Sequence, residues 1–488
     1  MKGNDDKKRK IFTGFFWRFA ESCGAQGVSF IVSIVLARLL APDVYGSVSL
    51  VTVFITICRV FVDSGMGNAL IRKKDADDLD FSTVFYFNMA LCLVIYLMVF
   101  IAAPWIARFY HLPELTAVIR VLGLVILISG IKNVQQAYVS RNMLFQHFFK
   151  ATLAGTAGAA VAGIMLAYLG AGIWALVVQQ LLNTAVDTLI LWLTVTWRPR
   201  KMFSWVRLRQ LYAYGWKMLA AALLDTIYNN IRQMIIGKLY FSEELAYYNR
   251  GRQFPELIIS NVNTSIDSVL LPAMADVQEH TDRVREMTRR SIQTGVYIMA
   301  PLLVGIMVMA PVIVDLVLTD KWRPCIPYMR IFCVTYLFYP VHTANLNAVK
   351  ALGRSDIVLK LEVVKKLVGL ILLFSTMWSG VMAMAYSMLA GSVLCQIINA
   401  WPNRKLLNYS YMEQLKDILP AILLACGMGA AVWGISFLHL AVLHKCVIQI
   451  AAGTVCYLSG SVFLKMNAFY YLWETLQQLL QMKGKTDI

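Results

Sequence analysis

Polar side chains recur every three or four residues inside stretches of this chain that are otherwise apolar. Arg18, Ser22, Gln26, Ser29 and Ser33 occupy one stretch, with Glu21 three residues from Arg18. Asp225, Asn229, Arg232 and Gln233 occupy a second, and Asn249, Arg252, Gln253, Glu256, Ser260, Asn263 and Asp267 a third. At helical periodicity each set falls on one face. Guanidinium groups offer a fork of donors that matches anionic oxygens in pairs, so Arg18 and Arg232, and after them Arg252, are candidate anion contacts. Gln26, Asn229 and Asn263 add neutral donors and acceptors, and Glu21, Asp225 and Glu256 are candidates for exchanging a proton or Na⁺. Bond-making chemistry has no matching set. The six histidines (His111, His147, His280, His342, His439, His444) show no HExxH-like spacing, and there is no P-loop, hence no ATPase in the chain. Nine cysteines form no CxxC pair or Cys/His cluster of metal spacing. The pattern points to binding a polar, anionic species without catalysis, cofactor or metal.

The elements that must carry these stripes follow from composition. The 488 residues are 59% hydrophobic and 15% charged, with a mean hydropathy of +0.61. A soluble domain carries about a quarter charged residues, so there is too little charge here to cover a water-facing surface. Crossing a hydrocarbon core takes about 20 apolar residues, and fourteen stretches qualify: 14–40, 46–69, 82–103, 115–132, 151–169, 172–193, 215–236, 248–271, 291–318, 328–348, 357–376, 381–400, 418–438 and 446–464. Those at 215–236 and 248–271 are the most polar. Most of the 45 Lys and Arg residues fall on the side of the N-terminus: Lys2, Lys7, Lys8, Arg9 and Lys10, then Arg72-Lys73-Lys74, Arg198–Arg209 and Asp282–Arg290. Short cytoplasmic loops retain Lys and Arg. Both termini are therefore expected in the cytoplasm of a multi-pass inner-membrane protein. The +17 net charge is explained by this asymmetry, and no nucleic-acid partner is expected. A cleaved signal peptide is not expected either, because Arg18 and Glu21 interrupt the first apolar stretch.

The first twelve stretches read as two copies of six. Ala103-Pro104-Trp105-Ile106 pairs with Ala310-Pro311-Val312-Ile313, Ile119-Arg120-Val121 with Met329-Arg330-Ile331, and Gly172-Ile173-Trp174-Ala175 with Gly380-Val381-Met382-Ala383, all at nearly one offset. Six-span repeats in one orientation are a transporter plan, with two bundles rocking about a site between them. The expected layout is a basic tail (1–13), a first lobe (14–193), a cytoplasmic linker (194–214), a second lobe (215–400), two additional helices (401–466) and a cytoplasmic tail (467–488). The fold class is all-α and polytopic, with two six-helix lobes in pseudo-twofold arrangement plus two C-terminal helices. Stretches 1 and 7 are equivalent in the two copies, so their polar faces are expected to line a central cavity. Arg59 and Asp63 are expected to pair within their own helix, and Lys360, Lys365 and Lys366 to snorkel to the inner headgroups. His342 and Asn345 read as helix-packing groups.

Several runs also resemble a known family. Ser33-Ile34-Val35-Leu36-Ala37-Arg38-Leu39-Leu40-Ala41-Pro42-Asp43-Val44-Tyr45-Gly46 resembles the "LARLL-P-x-x-(Y/F)-G" signature that opens bacterial polysaccharide transporters of the multidrug/oligosaccharidyl-lipid/polysaccharide (MOP) flippase superfamily. Asp63-Ser64-Gly65-Met66-Gly67-Asn68-Ala69-Leu70-Ile71 is similar to that family's "D-x-G-(L/M)-G-x-A-L-(I/V)". Ile236-Gly237-Lys238-Leu239 followed by Leu245-Ala246-Tyr247-Tyr248-Asn249-Arg250 is similar to "iiG-x-x-x…LG-x-Y-x-x-A", with Ala246 and Asn249-Arg250 replacing its usual small residues. The resemblance is strongest to the colanic-acid and teichuronic-acid exporters. It implies a flippase for undecaprenyl-pyrophosphate-linked oligosaccharide serving surface polysaccharide assembly, with membrane lipid as a further partner and a polysaccharide polymerase and chain-length machinery as candidate ones. The physical need is clear: a sugar diphosphate head crossing hydrocarbon unaided loses its hydrogen bonds, and a polar cavity open alternately to each side removes that penalty. Rival readings are a multidrug or cation antiporter of the same superfamily, a membrane glycosyltransferase or ligase, and a structural scaffold. The first predicts acidic residues dominating the cavity and the second a sizeable outer loop; a scaffold has no use for matched polar stripes.

Overall fold

The computed structural model describes residues 17, 24–63, 65–73, 75–438, 441–474 and 477, and among them the secondary structure is helical throughout. The helices are α1 (Gly24–Leu39), then α2 (Pro42–Asp63), α3 (Met66–Arg72), α4 (Asp78–Phe109), α5 (Leu115–Arg141), α6 (Phe145–Tyr168), α7 (Ile173–Thr194) and α8 (Trp205–Leu239). They continue as α9 (Ser242–Ala275), α10 (Thr281–Ile313), α11 (Ile326–Leu337), α12 (Tyr339–Ala351), α13 (Ser355–Thr376), α14 (Val381–Leu406), α15 (Tyr411–Ile435) and α16 (Val442–Phe463). Among the described residues nine helical stretches are long and apolar enough to cross a membrane. This is an all-α polytopic membrane fold.

Local chemistry explains where the elements start and stop. Asp77 caps α4 through a capping box, accepting from the Asp80 N–H at 2.9 Å while the Asp80 carboxylate accepts from the Asp77 N–H at 3.2 Å. Ser410 and Glu413 do the same for α15. The stretch at 46–69 is two helices, because Gly65 sits at φ 65, a left-handed conformation that side chains resist. The stretch at 328–348 is broken at Phe338, with Pro340 following at the start of α12, where its missing N–H costs nothing. The end of 291–318 loosens into a π-helical turn, Val314–Leu318. The linker at 194–214 already contains the first ten residues of α8.

The chain divides into two compact units, Met1–Ala246 and Tyr247–Ile488. In the first, α6 lies tightly along α7. Ala151, Gly155, Ala159, Gly163 and Ala167 recur every four residues on α6. A Cβ added to Gly155 would meet the Asn183 carbonyl oxygen at 2.9 Å, and one on Gly163 the Gln179 Cβ at 3.0 Å. In lipid, where apolar tails surround both helices equally, close approach of small residues drives association. Leu36, Val48, Ala160, Ala175 and Leu176 form one core cluster, and Leu70, Phe81, Val134, Leu191 and Trp197 another. Beside the second, an ion-pair network ties the 194–214 segment down: Arg200 meets Asp78 at 3.0 Å, Arg207 meets Asp80 at 3.6 Å, and Lys73 meets Asp80 at 2.5 Å. The expected Arg59–Asp63 ion pair is not formed among the described residues; the Asp63 carboxylate instead accepts from Asn133 Nδ2 on α5 at 3.1 Å.

In the second unit α10 packs against α11, α12, α15 and α16. A buried amide junction joins three helices there. Asn345 on α12 donates to Gln414 on α15 at 2.8 Å and accepts from Asn403 on α14 at 2.6 Å. Tyr297 on α10 donates to Ser461 on α16 at 2.7 Å, and Tyr457 returns a bond to the Tyr297 carbonyl at 2.8 Å.

Candidate functional site

Within the first unit a cavity of about 320 Å³ opens among α1, α2, α7 and α8. Its polar lining is Ser33, Tyr45, Ser49, Thr52, Thr56, Gln179, Gln180, Asn230 and Gln233, and among the described residues no charged side chain lines it. The α6–α7 seam fixes the height of Gln179 and Gln180. On α2, Tyr45, Ser49, Thr52 and Thr56 follow helical spacing and share one face. Ser49, Thr52 and Thr56 each donate to the carbonyl four residues earlier, at 2.7, 2.8 and 2.8 Å. Each hydroxyl has one donor and two acceptor lone pairs, so this wall presents chiefly acceptors. The amides opposite supply donors; Gln180 Nε2 reaches Thr52 Oγ1 at 3.4 Å. A wall of neutral acceptors facing neutral donors suits a ligand rich in hydroxyl groups.

The sequence-predicted residues fall around this cavity unevenly. Arg18 and Glu21 lie outside the described residues. Gln26 is partly buried on α1. On α8 the cavity takes Asn230 and Gln233, while Asp225, Asn229 and Arg232 form the neighbouring stripe, about 100° round the helix at 3.6 residues per turn. Asn229 donates to the Asp225 carboxylate at 3.0 Å, and both are exposed; Arg232 is partly buried and partnered. Ser33 and Gln233, members of two predicted stripes, do line the cavity.

The third stripe belongs to the second unit, where α9 hydrogen-bonds along α11 and α12. Arg252 bonds Tyr336 Oη at 3.1 Å and pairs with Glu256 at 2.8 Å. Thr343 donates to Asn263 at 2.7 Å, and Asn347 to Asp267 at 2.7 Å. Arg252, Glu256 and Asn263 are thus members of one polar ladder. Lys365, for which snorkelling was expected, donates to Glu362 one turn earlier on α13 at 2.6 Å.

Sequence reasoning missed Thr52, Thr56, Gln179, Gln180 and Asn230. The hydroxyl spacing on α2 was a readable signal, the same one that marked stripe 1. Gln179 and Gln180 carried none, because two adjacent amides in an apolar helix have no periodicity.

The profile of the family described as "Polysaccharide biosynthesis protein" matches residues 35–327, more than half of the chain. The chain is 22% identical over 418 residues to the teichuronic acid biosynthesis protein TuaB of Bacillus subtilis (strain 168), covering 84% of this chain and 86% of that one. It is 24% identical over 418 residues to the lipopolysaccharide biosynthesis protein WzxC of Escherichia coli (strain K12), covering 84% and 82%. Its fold is similar to that of the lipid II flippase MurJ in an inward closed conformation, with a TM-score of 0.76 at 12% identity, covering 92% of this chain and 99% of that one. An inward-facing multidrug resistance transporter of the MATE family, from the MOP superfamily, superposes with a TM-score of 0.61 at 14% identity over 78% of this chain and 94% of that one. The chain belongs to the polysaccharide biosynthesis protein family, and it is a polytopic membrane transporter of the polysaccharide-flippase (MOP) superfamily, not an enzyme.

Proposed function

We propose that this transporter moves undecaprenyl-pyrophosphate-linked oligosaccharide repeat units across the bacterial inner membrane for surface polysaccharide assembly, by alternating access driven by an ion gradient. The observation that carries the reading is the uncharged, hydrogen-bonding cavity among α1, α2, α7 and α8. A sugar head brings many hydroxyls, each donor and acceptor at once, and must exchange bulk water for partners of equal capacity. Hydroxyl acceptors on α2 and amides on α7 and α8 supply them. A cation antiporter needs a carboxylate in its binding cavity, and among the described residues this lining has none. Arg232, one stripe away from Asn230 and Gln233, is the proposed diphosphate contact, with Arg18 as its proposed counterpart and Gln26, Asn229, Arg252 and Asn263 as further proposed contacts. The apolar tail stays in lipid.

The reading carries an architecture with it. Fourteen membrane crossings form two six-helix lobes, 14–193 and 215–400, related by a pseudo-twofold axis and joined by the linker at 194–214. Two further helices lie within 401–466, and both termini are cytoplasmic. The relatives named for teichuronic acid and lipopolysaccharide biosynthesis support this choice of substrate class. The test is direct. Purified protein is reconstituted with a fluorescent lipid-linked oligosaccharide, and its outer-leaflet fraction is read by a membrane-impermeant quencher. Wild type is expected to equilibrate the label across leaflets and Arg232→Gln to slow it strongly. A wild-type protein that leaves the label in one leaflet, yet moves a cationic dye, overturns the reading.

A further inference from the structure

Under the ion-driven reading above, on which this inference rests, an ion pair on α13 stands out. Lys365 lies ten residues into α13, about 15 Å along the axis at 1.5 Å per residue. Its ammonium pairs with Glu362 Oε1, one turn earlier, at 2.6 Å, with side-chain exposures of 16% for the lysine and 39% for the carboxylate. Their neighbours along the helix are Leu361, Val363, Val364, Leu367 and Val368. Ionisable groups in such a helix are costly and mark ion pathways or proton relays.

The helices beside the pair are α12 and α14. The titratable groups facing the pair are His342 from α12 and Cys395 from α14; Lys360 and Lys366 share α13 itself. On α14, Asn399 is 2% exposed, with its Nδ2 at 3.3 Å from His342 Nδ1. Its Oδ1 is buried without a hydrogen-bond partner. A buried acceptor left unpaired carries a standing cost. It is an acceptor with room for an N–H donor on the helix pair that α13 packs against.

The carboxylates named from sequence serve less well. Asp225 is exposed and already accepts from Asn229. Glu256 pairs with Arg252 at 2.8 Å, a guanidinium that Tyr336 Oη also holds at 3.1 Å. Glu21 lies outside the described residues.

We propose that Glu362 and Lys365 form the coupling site of this transporter and that the coupling ion is a proton. The ammonium occupies the place beside Glu362 that an alkali cation would take, so Na⁺ meets like charge there. A proton entering from one side binds the Glu362 carboxylate and removes the charge from its bond to Lys365. The ammonium turns toward Asn399 Oδ1, and the proton leaves Glu362 to the other side as the cycle completes. One proton enters and one leaves, and the pair alternates between net charges of zero and +1.

The experiment uses the full chain in vesicles carrying fluorescent lipid-linked oligosaccharide, and reads the ratio of flipping rates with and without a one-unit pH step. Such a step is worth a factor of about ten per proton. Wild type and Lys365→Arg are expected to show a clear stimulation, approaching that factor. Glu362→Gln is expected to give a ratio of one, and an imposed Na⁺ gradient to stimulate none of them. Stimulation retained by Glu362→Gln, or wild type answering to Na⁺ and not to pH, overturns the proposal. Proton entry into the same vesicles, followed with trapped pyranine and no sugar lipid, separates the two readings. A chain that moves protons but no lipid-linked sugar refutes the substrate and leaves the site standing, whereas equal proton entry in wild type and Glu362→Gln refutes the site.

Discussion

Lys132 on α5 and Asp187 on α7 form an ion pair in the interior of the first unit, with side-chain exposures of 13% and 12%. Asp187 also touches the position where a Gly155 Cβ would be, at 3.0 Å from its own Cβ, so the pair sits at the α6–α7 seam. Leaving one buried charge without its partner costs about 3–5 kcal/mol, whereas replacing both by apolar groups is often neutral. Asp187→Asn and Lys132→Met are therefore each expected to lower unfolding stability in detergent by about that amount. The double variant Lys132→Met/Asp187→Leu should recover most of the loss, and a double variant no better than the worse single would refute the account.

Gly46 closes the "P-x-x-(Y/F)-G" run, and its structural reason is close approach. A Cβ there would sit 1.8 Å from the Ser242 carbonyl oxygen at the start of α9. Backbone cannot swing aside as a side chain can, so Gly46→Ala is expected to cost about 1–3 kcal/mol, the range for overpacking a filled site. Gly158 on α6 is the control, with nothing within 4 Å of its added Cβ. There the alanine is expected to gain roughly 0.5–1 kcal/mol through helix propensity. Thermal unfolding of the two variants side by side checks both signs.

Much of this was legible in the sequence, for a definable reason. Apolar length and turn residues mark helices directly, so each expected span falls on a helix or a helix pair in the described residues. The breaks at Gly65 and Phe338 were not legible, because an apolar run looks continuous whether or not its backbone is. On α8 the expected face divides, with Gln233 lining the cavity and Asp225, Asn229 and Arg232 beside it, because sequence gives only relative angles. Whether Arg232 or its neighbour Gln233 points into a cavity depends on how α2 and α7 are seated against the helix. The partner of Lys365 had a readable signal, since Glu362 stands at i−3 on the same helix.

The cavity reading makes a graded prediction. A neutral hydrogen bond is worth about 1 kcal/mol net, or roughly fivefold in an equilibrium constant. Thr52→Val removes a hydroxyl while keeping the shape, and Gln180→Leu removes an amide beside it. Each is expected to raise the apparent KM for lipid-linked oligosaccharide about fivefold with little change in the amount of folded protein. Because the two side chains touch, at 3.4 Å, the double variant should lose less than the product of the singles. Strict additivity across initial rates would argue against a shared site.

The cap at Asp77 gives a pH dependence of defined sign. The backbone N–H of Asp80 donates to its carboxylate, and Arg207 and Lys73 add positive charge, which together hold the acid below its ordinary value of 3.8. A group depressed in the folded state contributes fully above its unfolded value and loses that contribution as pH falls through the folded one. Wild type is therefore expected to lose stability below pH 3.8 faster than Asp77→Asn, which keeps a capping side chain but carries no titrating charge. Melting temperatures across that range should converge from above; parallel curves would show that the cap does not titrate.

The charge-free lining among α1, α2, α7 and α8 has one more consequence. Electrolyte screens attraction between ions over roughly 10 Å at 0.1 M, but it leaves contacts between hydroxyls and amides almost untouched. Capture of the sugar moiety should then hold steady from dilute to brackish surroundings, while any grip on the diphosphate weakens. Discrimination among glycans would follow ring stereochemistry, set by which amide meets which hydroxyl, and not by the acidity of the sugar.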